Sequence, residues 1–148
     1  MANEKAKAFL KQYGKIERVL ANKVVEKQRW EDIAQSVTAS PDGERVQSSG
    51  KPSKMADAVA RIVDIEREID EVTVQLDKTR KDILRVIEQL PTKEYDVLHK
   101  CYIQGMTNGE VAESASREYS WASANKFKGE TKVQQILEAR EIHETDIC

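Results

Sequence analysis

Ser120, Ser123, Asn125, Lys126, Lys128 and Lys132 crowd into one stretch of this chain. Hydroxyl, amide and ammonium side chains of this kind contact the phosphates and base edges of nucleic acid. The stretch follows Met106-Thr107-Asn108-Gly109-Glu110-Val111-Ala112-Glu113-Ser114, which has a helix start written into it. Thr107 is an N-cap residue, and Glu110 can reach back to the Thr107 amide, so the pair makes a capping box. Tyr95, Leu98 and Tyr102 mark a preceding helix that Gln104-Gly105 ends. Ser120 reads as a second N-cap, for a helix beginning at Trp121-Ala122-Ser123. Helix, turn, short capped helix, turn and third helix is the layout of a helix-turn-helix, whose last helix enters the major groove. The pattern points to sequence-directed DNA binding, with an ordinary helical bundle as the plainer alternative. Trp121 is expected to pack on Val111 and Ala112 rather than to face DNA.

Other chemistry is thinly represented. His99 and His143 lie in different segments, and Cys101 falls on another helix face from His99, so no metal site is expected. Cys101 and Cys148 read as free thiols. The carboxylates follow helical surface spacing, and none stands alone in an apolar setting that would raise its pKa. Gly50-Lys51 lacks the spacing of a phosphate-binding loop and is followed by Pro52. Neither Gly-x-Ser-x-Gly nor His-Glu-x-x-His occurs. The expectation is a protein with no catalytic residues, no metal and no cofactor, and not an enzyme.

The elements that must position the basic stretch are helical. Of 148 residues, 34% are charged and 5% aromatic, a balance that suits long helices and disfavours a sheet. The formal net charge of −2 means that any DNA affinity must come from a local patch. Residues Met1–Lys11 lack an apolar signal core, and no apolar run approaches the roughly eighteen residues that span a membrane. A soluble, cytoplasmic protein is expected.

Phe9, Tyr13, Ile16, Leu20, Val24, Trp30, Ala34 and Val37 keep a helical spacing from Lys5 to Val37. A helix about 45 Å long results, and it needs a partner along most of its length. Its lysines and arginines, Lys7 and Lys11 among them, read as a solvated outer face. Residues 38–54 read as a loop, with a turn at Ser40-Pro41-Asp42-Gly43 and a run, Ser48 to Ser53, that disfavours helix. Met55, Ile62, Ile69, Leu76, Ile83 and Leu90 then recur every seven residues, with Val59, Ile65, Val72 and Val86 between them. That register is a coiled-coil seam. Its simplest partner is the first helix folded back antiparallel, and a homodimer through Ile62–Leu90 is the competitor. Leu90-Pro91 ends this helix, with Pro91 as a hinge. The expected architecture is all-α: a long antiparallel hairpin over 1–90, then a helix-turn-helix over 91–148 whose charged tail, from Glu138, frays.

Several of these segments together resemble a known family. They are Asp42-Gly43-Glu44-Arg45-Val46-Gln47-Ser48-Ser49, then Ala56-Asp57-Ala58-Val59 opening the Ile-rich helix, then Tyr102-Ile103-Gln104-Gly105-Met106-Thr107 and Tyr119-Ser120-Trp121-Ala122-Ser123. The chain resembles, over nearly its whole length, the ArpU and RinA type regulators of late genes in phages and prophages of Gram-positive bacteria. The C-terminal part is similar to the helix-turn-helix of sigma factor region 4. The resemblance implies a transcription regulator with DNA and host RNA polymerase as partners. One departure stands out. The family's last helix continues with a His-Gly-Arg-Ala-Leu-like run, whereas this chain reads Asn125-Lys126-Phe127-Lys128-Gly129-Glu130-Thr131-Lys132. Phe127, Val133, Ile136 and Leu137 are left to dock the helix, and Gly129 costs it about 1 kcal/mol against alanine. A reader helix that is loose, bent, or ordered only on DNA is expected. The rival functional reading is a phage assembly or packaging adaptor, similar to a small terminase subunit, that works through its coiled coil.

Overall fold

Helices account for every regular element of the computed structural model, which describes residues 2–39 and 50–147. In order they are α1 (Glu4–Ala39), α2 (Gly50–Ile87), α3 (Thr92–Leu98), a π-helical turn (His99–Ile103), α4 (Asn108–Ser114) and α5 (Tyr119–Ile147). No strand occurs among the described residues. The expected all-α class is what the structure has. No helix among them is long and apolar enough to cross a membrane.

Contacts group the chain into two compact units, residues 1–15 with 76–148, and residues 16–75. The sequence reading divides the chain at Pro91 instead. In the structure, residues on both sides of Pro91 share one core: Ile83, Val86, Ile87 and Leu90 pack with Leu98, Val133, Ala6 and Leu10. Pro91 is therefore a corner inside one unit, and no hinge separates its two sides. It sits at the N-cap of α3 with φ −56° and ψ 151°, an extended conformation that its ring tolerates and that turns the chain.

In the unit of residues 16–75, parts of α1 and α2 lie side by side. Lys23 pairs with Glu68 at 2.7 Å, Lys27 with Glu66 at 3.1 Å, and the Arg61 guanidinium lies 5.9 Å from the Trp30 ring centre. Successive contacts climb α1 while descending α2, the order that antiparallel helices give. Ala58 and Ile65 are buried along this line. Helix α2 already begins at Gly50, so Gly50 to Ser53 are helical and not loop. Pro52 falls in the first turn, where a missing N–H breaks no intrahelical bond. Thr38 and Ala39 end α1, and the turn read at Ser40-Pro41-Asp42-Gly43 lies outside the described residues.

In the other unit the first turns of α1 are bound to α5. Asn3 donates its side-chain amide to Thr131 Oγ1 at 2.9 Å, and Gln134 Oε1 accepts the Ala6 N–H at 2.9 Å. That N–H belongs to the group of helix-start donors with no partner inside their own helix. Ala6 and Leu10 are fully buried beneath these bonds. A second, smaller cluster joins Val97, Val111, Ala112 and Ala122, with Cys101, Met106 and Trp121 packed against it.

Helix α5 is continuous through Gly129, where the sequence leads one to expect loosening, and its helical backbone runs on past Glu138 to Ile147. At Gly129 the reason is packing. A Cβ at Gly129 would stand 2.9 Å from Leu98 Cδ1 and 3.0 Å from Leu98 Cγ. Leu98 is fully buried and has nowhere to retreat. The glycine lets α5 lie against α3 at a distance no other residue permits. By contrast, a Cβ at Gly14 in α1 meets nothing within 4 Å. Gly129→Ala is therefore expected to destabilise the fold by about 1–2 kcal/mol through overpacking, while Gly14→Ala stabilises it by up to about 1 kcal/mol. Urea unfolding of the two variants would show midpoints displaced in opposite directions.

Candidate nucleic-acid interface

The capping box is formed as the residue types require. Thr107, extended at φ −76° and ψ 164°, accepts the Glu110 N–H on its hydroxyl at 3.2 Å, and Glu110 accepts the Thr107 N–H at 2.9 Å. Upstream, the π-helical turn closes with Gln104 N–H donating to His99 O at 3.0 Å. Gly105 follows at φ 76°, which only glycine adopts without steric cost. Lys100 then ties this turn to the end of α4 through Ser114 Oγ at 3.0 Å.

The link from α4 to α5 is short and fixed at several points. Arg117 N–H donates to Ala112 O at 2.8 Å and Ser116 N–H to Glu113 O at 3.1 Å. This is a Schellman closure, with Ser116 in the left-handed position at φ 55°. The Arg117 guanidinium lies 5.6 Å from the centre of the Trp121 ring. Trp121 itself is half-buried in the cluster that holds Val111 and Ala112, where its spacing places it. Helix α5 starts at Tyr119, so Ser120 stands inside the first turn rather than capping it. Trp121 and Ala122 donate their N–H groups to Glu118 O.

From this start the first turns of α5 present one exposed ridge: Ser120, Ser123, Ala124, Phe127 and Lys128. Phe127 is expected to dock the helix, but it is 56% exposed and belongs to the ridge. Docking falls to Ala122, Gly129 and Val133, all buried, with Ile136 and Leu137 partly so. The polar residues read from the sequence are divided by their surroundings. Ser120, Ser123 and Lys128 face outward. Asn125 donates its amide back to Trp121 O at 2.9 Å. Lys126 is half-buried, its ammonium 5.4 Å from the centre of the Tyr102 ring. Lys132 gives its ammonium to both oxygens of Glu94, at 3.0 and 2.8 Å.

Two carboxylates of this unit were missed as structural groups in the sequence. Glu94 is 5% exposed and Glu130 is 3% exposed. Glu94 takes Lys132, and Glu130 accepts the hydroxyl hydrogen of Tyr102. Neither pair follows an i, i+4 rule, since each partner sits on a different helix, so no local spacing announces them. Burial first, and then the hydrogen bond to Glu130, push the Tyr102 phenol well above the ordinary tyrosine range. Burial likewise raises the Cys101 thiol, which is free and half-buried.

A short capped helix, a tight turn and a long helix with one exposed ridge of mixed polar and apolar residues form a surface able to meet a groove. Nothing in its geometry assembles a nucleophile with a base, and among the described residues no group of three or more His, Cys, Asp or Glu could hold a metal ion. No protein-family model matches the chain, and comparison with curated proteins and with solved structures finds no match.

Two outcomes follow from the bonding around this surface. Ser116→Gly should stabilise the protein by about 0.5–1 kcal/mol, because the left-handed penalty disappears and only part of the gain is returned as unfolded-chain entropy; thermal melts of the variant would read this. Tyr102 keeps its proton in the folded state at pH values where the unfolded phenol, near about 10, has lost it. The unfolded chain then binds fewer protons, so stability falls as pH rises above that value. Denaturant midpoints measured from neutral to alkaline pH should show this loss in the wild type and a shallower one in Tyr102→Phe.

Proposed function

We propose that the chain is a DNA-binding transcription regulator in which α4 and α5 act as a helix-turn-helix and the first turns of α5 lie in the major groove. The observation that carries this reading is the exposed ridge of Ser120, Ser123, Ala124, Phe127 and Lys128 directly after the fixed four-residue turn. In such motifs the N-terminal residues of the second helix contact base edges while the first helix crosses the backbone. Ser120 and Ser123 supply hydroxyls for base edges or phosphates, and Phe127 supplies an apolar surface for a thymine methyl. Lys126 and Lys128 supply charge to phosphates. Asn125 and Lys132, already bonded within the protein, are set aside from the contact set. Within residues 16–75, parts of α1 and α2 pair antiparallel, as a hairpin would. The resemblance to the ArpU and RinA type regulators supports a role in phage or prophage late-gene control, with host RNA polymerase as a second partner.

The rival reading is a packaging or assembly adaptor working through the coiled coil. Along its seam Ile65 and Ile83 are buried within this chain, while Ile62, Ile69, Val72 and Leu76 are half-buried and Val59 is 49% exposed. A seam open in part to another chain keeps the adaptor as the second reading.

Selection from a random duplex pool at about 150 mM salt, where phosphate-only binding is weak, should recover a sequence motif. Lys126→Ala with Lys128→Ala should then lower the slope of log affinity against log salt by about 2, near one unit per lost phosphate contact. A folded protein that enriches no sequence would favour the adaptor instead.

A further inference from the structure

We propose that Lys7 and Lys11, on the first turns of α1, form a second phosphate-binding flank of the α5 reader helix, so that the sugar-phosphate backbone of duplex DNA is held on both sides of α5. The proposal rests on the DNA-binding reading above and extends its surface to a helix that the sequence assigns to solvent. Lys7 and Lys11 line one cleft together with Tyr102, Ser123, Lys126, Phe127 and Glu130. Across the ridge, a second cleft is lined by Thr92, Lys93, Asn125 and Lys128 among others. Ser123 and Phe127 of the ridge reach into the first cleft and Lys128 of the ridge into the second, so lysines border the ridge on both sides.

That arrangement matches a duplex in size. A helix with its side chains is about 10–12 Å across, and the major groove is about 12 Å wide. A helix lying in the groove therefore brings whatever flanks it to the phosphates along the two groove edges. The cations are also free to respond. Lys5 is taken by Glu141 at 2.7 Å and Lys132 by Glu94 at 2.8 Å. Lys7 and Lys11 are exposed and have no carboxylate partner among the described residues. They stand one turn apart on α1, where like charges repel each other, and a phosphate between them would relieve that repulsion. Glu130 shares the cleft, but its carboxylate is buried and turned to the Tyr102 hydroxyl.

The two lysines are held in place relative to α5. Asn3 bonds Thr131, Gln134 bonds the Ala6 amide, and Ala6 and Leu10, about 100° round the same helical turns, are buried. A flexible basic arm would lose entropy on meeting DNA, whereas these side chains project from a docked helix.

The test uses the full chain and duplex DNA carrying the motif recovered by selection. Lys7→Gln with Lys11→Gln should lower the salt slope of binding by about 2 and leave the preferred sequence unchanged, since phosphate contacts position without specifying. Lys5→Gln serves as the control, because its ammonium is already engaged by Glu141, and it should leave the slope as in the wild type. Circular dichroism of each variant establishes that the fold is retained, as expected for exposed side chains. If the wild type binds with a measurable slope that the double variant keeps, the inference is overturned while the DNA-binding reading stands. If the wild type binds no DNA at all, both fall.

Discussion

The contact between Gly129 and Leu98 governs the rest of the larger unit. Because α5 can approach α3 there without a Cβ in the way, Glu94 of α3 comes within reach of Lys132, and Val133 enters the core beside Leu98. The same approach brings Glu130 inward to Tyr102 and leaves the opposite side of α5 to solvent. The exposed ridge is thus the back of a tightly docked helix. A side chain at this one position would push α5 outward and loosen the two buried carboxylate bonds together with the apolar core.

Charge in this chain is sorted by neighbourhood more than by amount. A net charge of −2 predicts little about any one patch, because particular carboxylates, such as Glu66, Glu68, Glu94 and Glu141, are held by lysines of the helices. Around the first turns of α5, Lys126 and Lys128 stand with Glu118 and the buried Glu94 and Glu130 nearby. Surface pairs such as Lys23–Glu68 contribute little to stability on their own, but their order along α1 and α2 records which residues face each other.

Periodic features of the fold were legible in the sequence, and long-range ones were not. The Thr107–Glu110 box and the stop at Gly105 each depend on residues within a few positions of one another, and each appears in the structure. The seven-residue row from Met55 lies on one helix only as far as Ile83, because α2 ends at Ile87 and not at Leu90. The start of α2 was misplaced because Gly50 and Pro52 read as breakers, although a first turn accepts both. Intrinsic propensity makes Gly129 a weak point because it is blind to Leu98. Hydrophobicity alone points Phe127 inward, whereas its angular position on α5 puts it with Ser120, Ser123 and Ala124. The type of Lys132 suits a phosphate, and a buried Glu94 on another helix holds its ammonium.

The bond from Asn3 to Thr131 spans 128 positions, while that from Lys23 to Glu68 spans 45. During synthesis, at about 5–20 residues per second, the paired segments of residues 16–75 can meet as soon as α2 has emerged. Ala6 and Leu10 must wait, exposed, until α5 leaves the ribosome, because their burial requires residues around Val133. Closing so long a loop is entropically slow. The apolar first turns of α1 are consequently the segment for which a nascent-chain chaperone has the longest opportunity, and their docking on α5 comes late in folding.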